Sequence, residues 1–218
     1  MSATPAPQAP PPGGAPQEAH RAFLNRYYGV SRFFYDVTRK YYLFGRDAAL
    51  AELAADRGWR RLVEVGPGTG RNLRRLRRAR PDVELGGVEA SDAMLAHARR
   101  KCPWARLVHG FAENVALAEV LGAPPDRVLF SYCLSMVADR ARALSAARSQ
   151  LESGGQVIVV DFGDLEGLPV VVASAFRSYL RAFHVEPLSP ADLAEAQSVT
   201  WGPRRYYVIA RFGSTRAT

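Results

Sequence analysis

Only two cysteines occur in the 218 residues, Cys102 and Cys133, and they lie far apart. That spacing offers neither a paired-cysteine metal motif nor a disulfide framework, so both read as reduced, buried small side chains of a cytosolic protein. The 4 histidines form no cluster with metal-ligand spacing either, and no metal is expected. No apolar run approaches the roughly 20 residues that a membrane-spanning helix requires. The N-terminus shows no basic stretch followed by an apolar one, so no secretory leader is expected. Lysine is nearly missing: Lys40 and Lys101 stand among 29 basic residues, and the rest are arginine. Against 21 acidic residues this leaves a net charge of +8. Such a surface is drawn to anionic membranes or to nucleic acid, and charge alone does not choose between them.

What is present suffices for one α/β domain with a sizeable core: 48% of the residues are hydrophobic. Residues 1–19 hold six prolines and almost no charge, and read as a disordered tail. Residues 20–58 interleave aromatics with arginines and read as helix, either packed on the domain or forming a lid over a ligand. Residues 59–212 are expected to form the main domain, and 213–218 a fraying tail.

The domain is organised around Arg61–Asn72, RLVEVGPGTGRN. An apolar run predicts a buried strand, Gly66-Pro67-Gly68-Thr69-Gly70 a tight turn, and the following residues a helix start. Glycines let the backbone turn sharply and let a ligand approach bare peptide groups. Dinucleotide folds use G-x-G-x-x-G. Here the spacing is G-x-G-x-G, and Arg71 occupies the third dinucleotide position. The stretch resembles motif I of class I S-adenosylmethionine methyltransferases.

Further along, Asn72–Arg80 predicts a helix with Leu73 and Leu76 inside and arginines outside. No aromatics interleave with those arginines, which argues against single-stranded nucleic acid. A second strand ends in Glu89, whose carboxylate offers two acceptor oxygens for ribose hydroxyls. Ser91 is an N-cap candidate for the next helix. Strands are expected at 105–110, 126–137 and 156–164, with helices at 138–151 and 170–183, and the chain closes in a hairpin from Ser198 to Phe212.

The methyltransferase resemblance implies a Rossmann-like α/β fold: a seven-stranded, mostly parallel sheet with an antiparallel C-terminal strand and an N-terminal helical lid. It implies S-adenosylmethionine as cofactor, held by Glu64, Gly66, Pro67, Gly68, Thr69, Gly70 and Asn72, by Glu89 and Ala90 after the second strand, and by Ser131 after the fourth. Met94 falls where the family packs a side chain near the adenine, and Ala112-Glu113 where it meets the adenine edge. Tyr35, with Gly45-Arg46-Asp47 beyond it, is similar to the lid of ubiquinone/menaquinone-type enzymes, where an aromatic lies near the sulfonium.

Finer segments (YDVTRKYYLFGRD, SYCLSMV, VVDFGD and Arg181-Ala-Phe-His184-Val) resemble the bacterial betaine-lipid N-methyltransferases. That resemblance implies methylation of diacylglyceryl-homoserine at the inner membrane face, alongside the synthase that builds its head group. Candidate groups at the acceptor mouth are Tyr132, Asp161 and His184, with Arg39 and the tyrosines Tyr28, Tyr41 and Tyr42 around a cationic head group. Asp161 reads equally as a structural residue at a strand end, and His109 as a structural histidine. A quinone ring carbon or phosphatidylethanolamine as acceptor, and a non-catalytic cofactor- or nucleic-acid-binding protein, are the competing readings.

Overall fold

The computed structural model describes residues 43–216. Along them run α1 (Arg46–Ala55), β1 (Arg61–Val65), α2 (Arg71–Ala79), β2 (Glu84–Glu89), α3 (Asp92–Lys101), β3 (Arg106–His109) and α4 (Leu117–Leu121). There follow β4 (Arg127–Ser131), α5 (Arg140–Ser149), β5 (Gln156–Phe162), α6 (Val170–Arg181), β6 (Ser198–Trp201) and β7 (Tyr207–Gly213). The strands form one seven-stranded sheet in the order β3-β2-β1-β4-β5-β7-β6. β7 pairs antiparallel with both β5 and β6, so it alone runs against the rest. The expected mostly parallel sheet with an antiparallel C-terminal strand is what forms.

Strand alternation divides the core in two. Leu62, Leu85, Leu107, Leu129 and Ile158 pack with Leu50 and Leu53 of α1, Leu73 and Leu76 of α2, and Leu95 of α3. Val63, Val65, Val88, Val128, Phe130 and Val159 face the other way, onto α4 and α5 through Leu117, Leu121 and Leu144. Successive strand residues point to opposite faces, and a parallel sheet covered on both faces must be apolar on both. Glu64 lies between Val63 and Val65 and so points to the side of Leu62, beneath α2.

Two sequence expectations change. The helical reading of 20–58 is interrupted at Gly45, whose φ of 77° turns the chain before α1 begins. α1 buries Ala49, Leu50 and Leu53, so this part of the stretch belongs to the core rather than to a lid. Residues 20–42, with the expected sites at Tyr28, Tyr35, Arg39, Tyr41 and Tyr42, lie outside the described residues.

The second change is Arg80, expected on a solvated face. It is 2% exposed. Its guanidinium lies 4.8 Å over the Trp59 ring, donates to the carbonyls of Asp56 and Trp59, and pairs with Asp82 at 2.9 Å. Those donors hold the Asp82 carboxyl at about 2. A buried guanidinium is tolerated only when its donors are matched in this way.

Gly86 and Gly87 let β2 pass close to its neighbours. A Cβ on Gly86 would meet Val120 Cγ1 at 2.7 Å and Leu121 Cδ2 at 3.0 Å. Gly86→Val is therefore expected to overpack the α4 side and lower stability by about 1–3 kcal/mol, read as a fall in the urea midpoint; an unchanged midpoint would contradict this packing.

Candidate functional site

The order of the sheet reverses between β1 and β4, and the crevice beyond the C-terminal ends of these strands is where open α/β sheets take ligands. β1 ends there in the glycine turn. Gly66, Gly68 and Gly70 all adopt left-handed backbone, with φ of 68°, 56° and 75°. A side chain on Gly66 would meet Cys133 Sγ at 2.5 Å, whereas nothing lies within 4 Å of the corresponding point on Gly68. The first glycine thus serves packing against the end of β4, and the second leaves open space above the backbone.

Glu89 closes this turn. Its Oε2 accepts from the Gly68 N–H at 2.9 Å, and its Oε1 from the Ser91 N–H at 2.9 Å. Ser91 in turn caps α3 by accepting from the Met94 N–H. A carboxylate offers two acceptor oxygens, and the bridge sets both at the glycine turn.

Glu64 sits below the turn, 1% exposed. Asn72 Nδ2 donates to its Oε1 at 2.7 Å. Burial pushes the Glu64 carboxyl up to about 8, against the opposing pull of the Asn72 hydrogen bond and the Arg46 charge. Glu64 Oε2, Asn72 Oδ1 and Ser131 Oγ are buried with no hydrogen-bond partner among the described residues. Unsatisfied buried acceptors are costly and rare. Buried polar atoms gathered beside an open glycine turn, one of them on a carboxyl that ionises next to positive charge, suit a ligand that brings hydrogen-bonding groups and a cation, as S-adenosylmethionine does. The residues present therefore fit the expected cofactor. Arg46, whose charge acts on both Glu64 and Tyr132, stands in the sequence within the noted Gly45-Arg46-Asp47 segment but is not assigned to the site there.

The adenine-side candidates fall on the neighbouring edge. Met94 is 1% exposed, and Ala112 and Glu113 are half-buried in the segment after β3. The Gly110 N–H donates to the Glu89 carbonyl at 3.2 Å and brings that segment to the end of β2. His109 Nε2 lies 3.0 Å from the carbonyl of the half-buried Ala90, and its ring meets Phe111 edge-on, a structural placement.

The acceptor-side candidates divide. Tyr132 has a left-handed φ of 53° and is buried, and its hydroxyl donates to the Phe44 carbonyl. Burial, reinforced by Asp161, pushes its phenol far above the ordinary range. It therefore ties the end of β4 to the segment entering α1. Asp161 is fully buried, and its two oxygens accept from the backbone N–H groups of Ser135 and Phe162 at 3.0 and 2.8 Å. It fixes the turn after β4. His184, also left-handed with φ 54°, remains exposed. Its segment returns to the strand ends through Glu186 N–H to Ser135 carbonyl and Leu188 N–H to Phe162 carbonyl, both 2.9 Å.

A family described as Methyltransferase domain matches residues 35–196. A demethylmenaquinone methyltransferase of Thermus thermophilus is 30% identical over 135 residues, which are 59% of this chain and 60% of that protein. Its counterpart in Deinococcus radiodurans is 28% identical over 192 residues, 81% of this chain and 73% of that one. The chain thus spans about three fifths of the length of the Thermus relative. Among solved structures, an S-adenosylmethionine-dependent methyltransferase of Thermotoga maritima, described as a possible histamine N-methyltransferase, superposes with a TM-score of 0.63. It is 19% identical and covers 88% of this chain and 100% of its own, a likeness of fold. The fold is that of S-adenosylmethionine-dependent methyltransferases.

The state of Glu64 gives a pH dependence with a definite sign. In the unfolded chain its carboxyl ionises near 4.5, and in the fold near 8. Between those values the folded state holds the extra proton, so rising pH favours unfolding. The free protein is expected to lose thermal stability progressively from pH 5 to pH 9, and Glu64→Gln to flatten that decline. A calorimetric series with the same slope in both proteins would assign the pH dependence elsewhere.

Proposed function

The chain belongs to the methyltransferase domain family, and on that premise we propose that it transfers methyl groups from S-adenosylmethionine to the amine of a membrane lipid head group, diacylglyceryl-homoserine. The donor half of this reading is carried by the Glu89 bridge between Gly68 and Ser91, beside unsatisfied buried acceptors at Glu64, Asn72 and Ser131. Bound there, S-adenosylmethionine supplies a methyl group on a positively charged sulfur.

The protein's part is binding, orientation and proton handling. Glu89 accepts from the ribose hydroxyls. Glu64 meets the cationic end of the cofactor and gives up its proton on binding, because a nearby positive charge restores the ionised form. The open space over Gly68 admits the ligand to the bare backbone. With the donor fixed, an acceptor brought into line reacts at high effective concentration. The amine must shed a proton before each transfer, because only the neutral amine has the lone pair that attacks. Each methylation returns a protonated ammonium until the third leaves a quaternary one. Tyr132 and Asp161 are held by backbone partners, and the proton is assigned to the exposed His184 of the returning segment.

The lipid acceptor is supported by the resemblance of the SYCLSMV and RAFHV segments and by the net charge of +8, which favours an anionic surface. The enzyme then works at the inner face of the cell membrane, on the product of the homoserine-lipid synthase. Among the described residues no helix is long and apolar enough to cross a membrane. A second reading, methylation of a quinone ring carbon, is favoured by the names of the Thermus and Deinococcus relatives.

Incubation with S-adenosylmethionine and either the unmethylated homoserine lipid or a demethylated quinone, each in mixed micelles, separates the two by mass spectrometry. The expected product is the lipid carrying one to three added methyl groups; methylation of the quinone alone would establish the second reading. Glu89→Ala is expected to weaken cofactor binding by at least about tenfold, from loss of charge-assisted hydrogen bonds of about 1.5–3 kcal/mol. Unchanged affinity in a calorimetric titration would remove Glu89 from the site. His184→Ala should lower kcat and leave cofactor affinity intact; an unaltered kcat would exclude it as proton acceptor.

A further inference from the structure

The outward side of α6 carries large apolar groups that the fold does not cover. Val170, Val171 and Val172 are 84%, 80% and 51% exposed, and Tyr179 is 46% exposed. At about 100° per residue, Val171, Val172, Ala175 and Tyr179 share one sector of the helix, opposite the buried Ala173 and Leu180. Basic side chains flank this sector. Arg181 lies on the line of Val170 and Ser174. Arg204 approaches from the turn before β7, with its Cα 2.5 Å from the point where Gly167 would carry a Cβ. The acids of the same loop, Asp164 and Glu166, are taken up by Arg205. Arg177 donates to the Asp164 carbonyl and Arg181 to the Arg177 carbonyl, and among the described residues no carboxylate lies within 4.0 Å of Arg177, Arg181 or Arg204.

The apolar surface continues inward as a chain of rings. Tyr179 stacks on Phe176 at 6.1 Å and meets Phe183 at 4.9 Å. Phe176 meets Phe162 at 5.9 Å, and Phe162 meets Tyr132 at 4.8 Å, at the end of β4. Packed rings thus link the exposed face of α6 to the end of β4, the inner two, Phe162 and Tyr132, lying within the core.

We propose that the outer face of α6 seats this protein on an anionic lipid bilayer, with Val170–Val172 entering the headgroup region and Arg181 and Arg204 facing lipid phosphates. An amphipathic helix binds membranes through buried apolar area together with attraction of its cationic side chains to anionic lipid. A twofold contact between two copies through this face would set its uncompensated arginines near one another, whereas a bilayer supplies the opposite charge. The inference rests on the reading of the acceptor as a membrane lipid and names the surface that would meet it.

Co-sedimentation of the full chain with phosphatidylcholine vesicles, with and without phosphatidylglycerol, tests it. The protein is expected to pellet with the anionic vesicles, less so as salt is raised. Both Val171→Glu/Val172→Glu and Arg181→Glu/Arg204→Glu should reduce partitioning by about tenfold or more, with unchanged melting temperature and cofactor affinity. Equal recovery with neutral vesicles, or wild-type partitioning by the valine variant, overturns the proposal. So does a dimer in sedimentation velocity that the valine variant dissociates, because a second copy would then cover the face. If vesicle binding follows α6 while no lipid acceptor is methylated, the docking surface stands and the acceptor reading falls. If the valine variant methylates micellar lipid normally but leaves the vesicles, both stand.

Discussion

The carboxylate of Glu89 joins three separate turning points of the chain. β2 lies in parallel register with β1, Val88 opposite Val65, so the end of β2 emerges beside the start of the glycine turn. From there one oxygen holds the Gly68 N–H and the other the Ser91 N–H that leads into α3. The turn itself has three left-handed residues in five, a conformation that glycine adopts without the steric cost paid by other residues. An anionic acceptor at its centre satisfies N–H groups that a helix start leaves free. The same carboxylate lies at the turn where a ligand would sit, so the group that stabilises the turn also shapes what can bind above it.

Glu64 shows the opposite balance. A carboxyl wholly removed from water, with one oxygen bonded to Asn72 and the other without a partner, is held protonated by desolvation, which outweighs the pull of Arg46. Such an arrangement stabilises the free protein poorly at neutral pH. It becomes favourable when a positively charged ligand arrives and the carboxyl can ionise beside it. Placing unsatisfied acceptors next to an open turn is the kind of local cost that binding sites carry and cores do not.

On the acceptor side the strand ends are occupied by structural duties. Tyr132 ties β4 to the entrance of α1, and Asp161 fixes the turn after β4 from within the core. The apolar rings from Tyr132 through Phe162 and Phe176 to Tyr179 then lead away from the strand ends to the bare face of α6.

Much of this was legible from residues alone, for local reasons. G-x-G-x-G after an apolar run reads as a strand, a turn and a helix because left-handed backbone selects glycine. Glu89 and Ser91 read as ribose acceptor and cap because their roles follow from position at a strand end and a helix start. The order of strands and helices, including the antiparallel close, follows from patterning. Burial is different, because it depends on residues far apart in the chain. Arg80 sits in an arginine-rich helix, yet Trp59 and Asp56, more than twenty residues earlier, remove it from solvent. Asp161 looks like a free carboxylate at a strand end until Ser135 supplies its partner. The shift of Glu64 and the open face of α6 likewise exist only once the sheet has closed around one and left the other outside. The sequence by itself determined the backbone path and the ligand-facing turn; tertiary packing decided which ionisable groups remain available for chemistry, because only packing sets solvent access and the partners within reach.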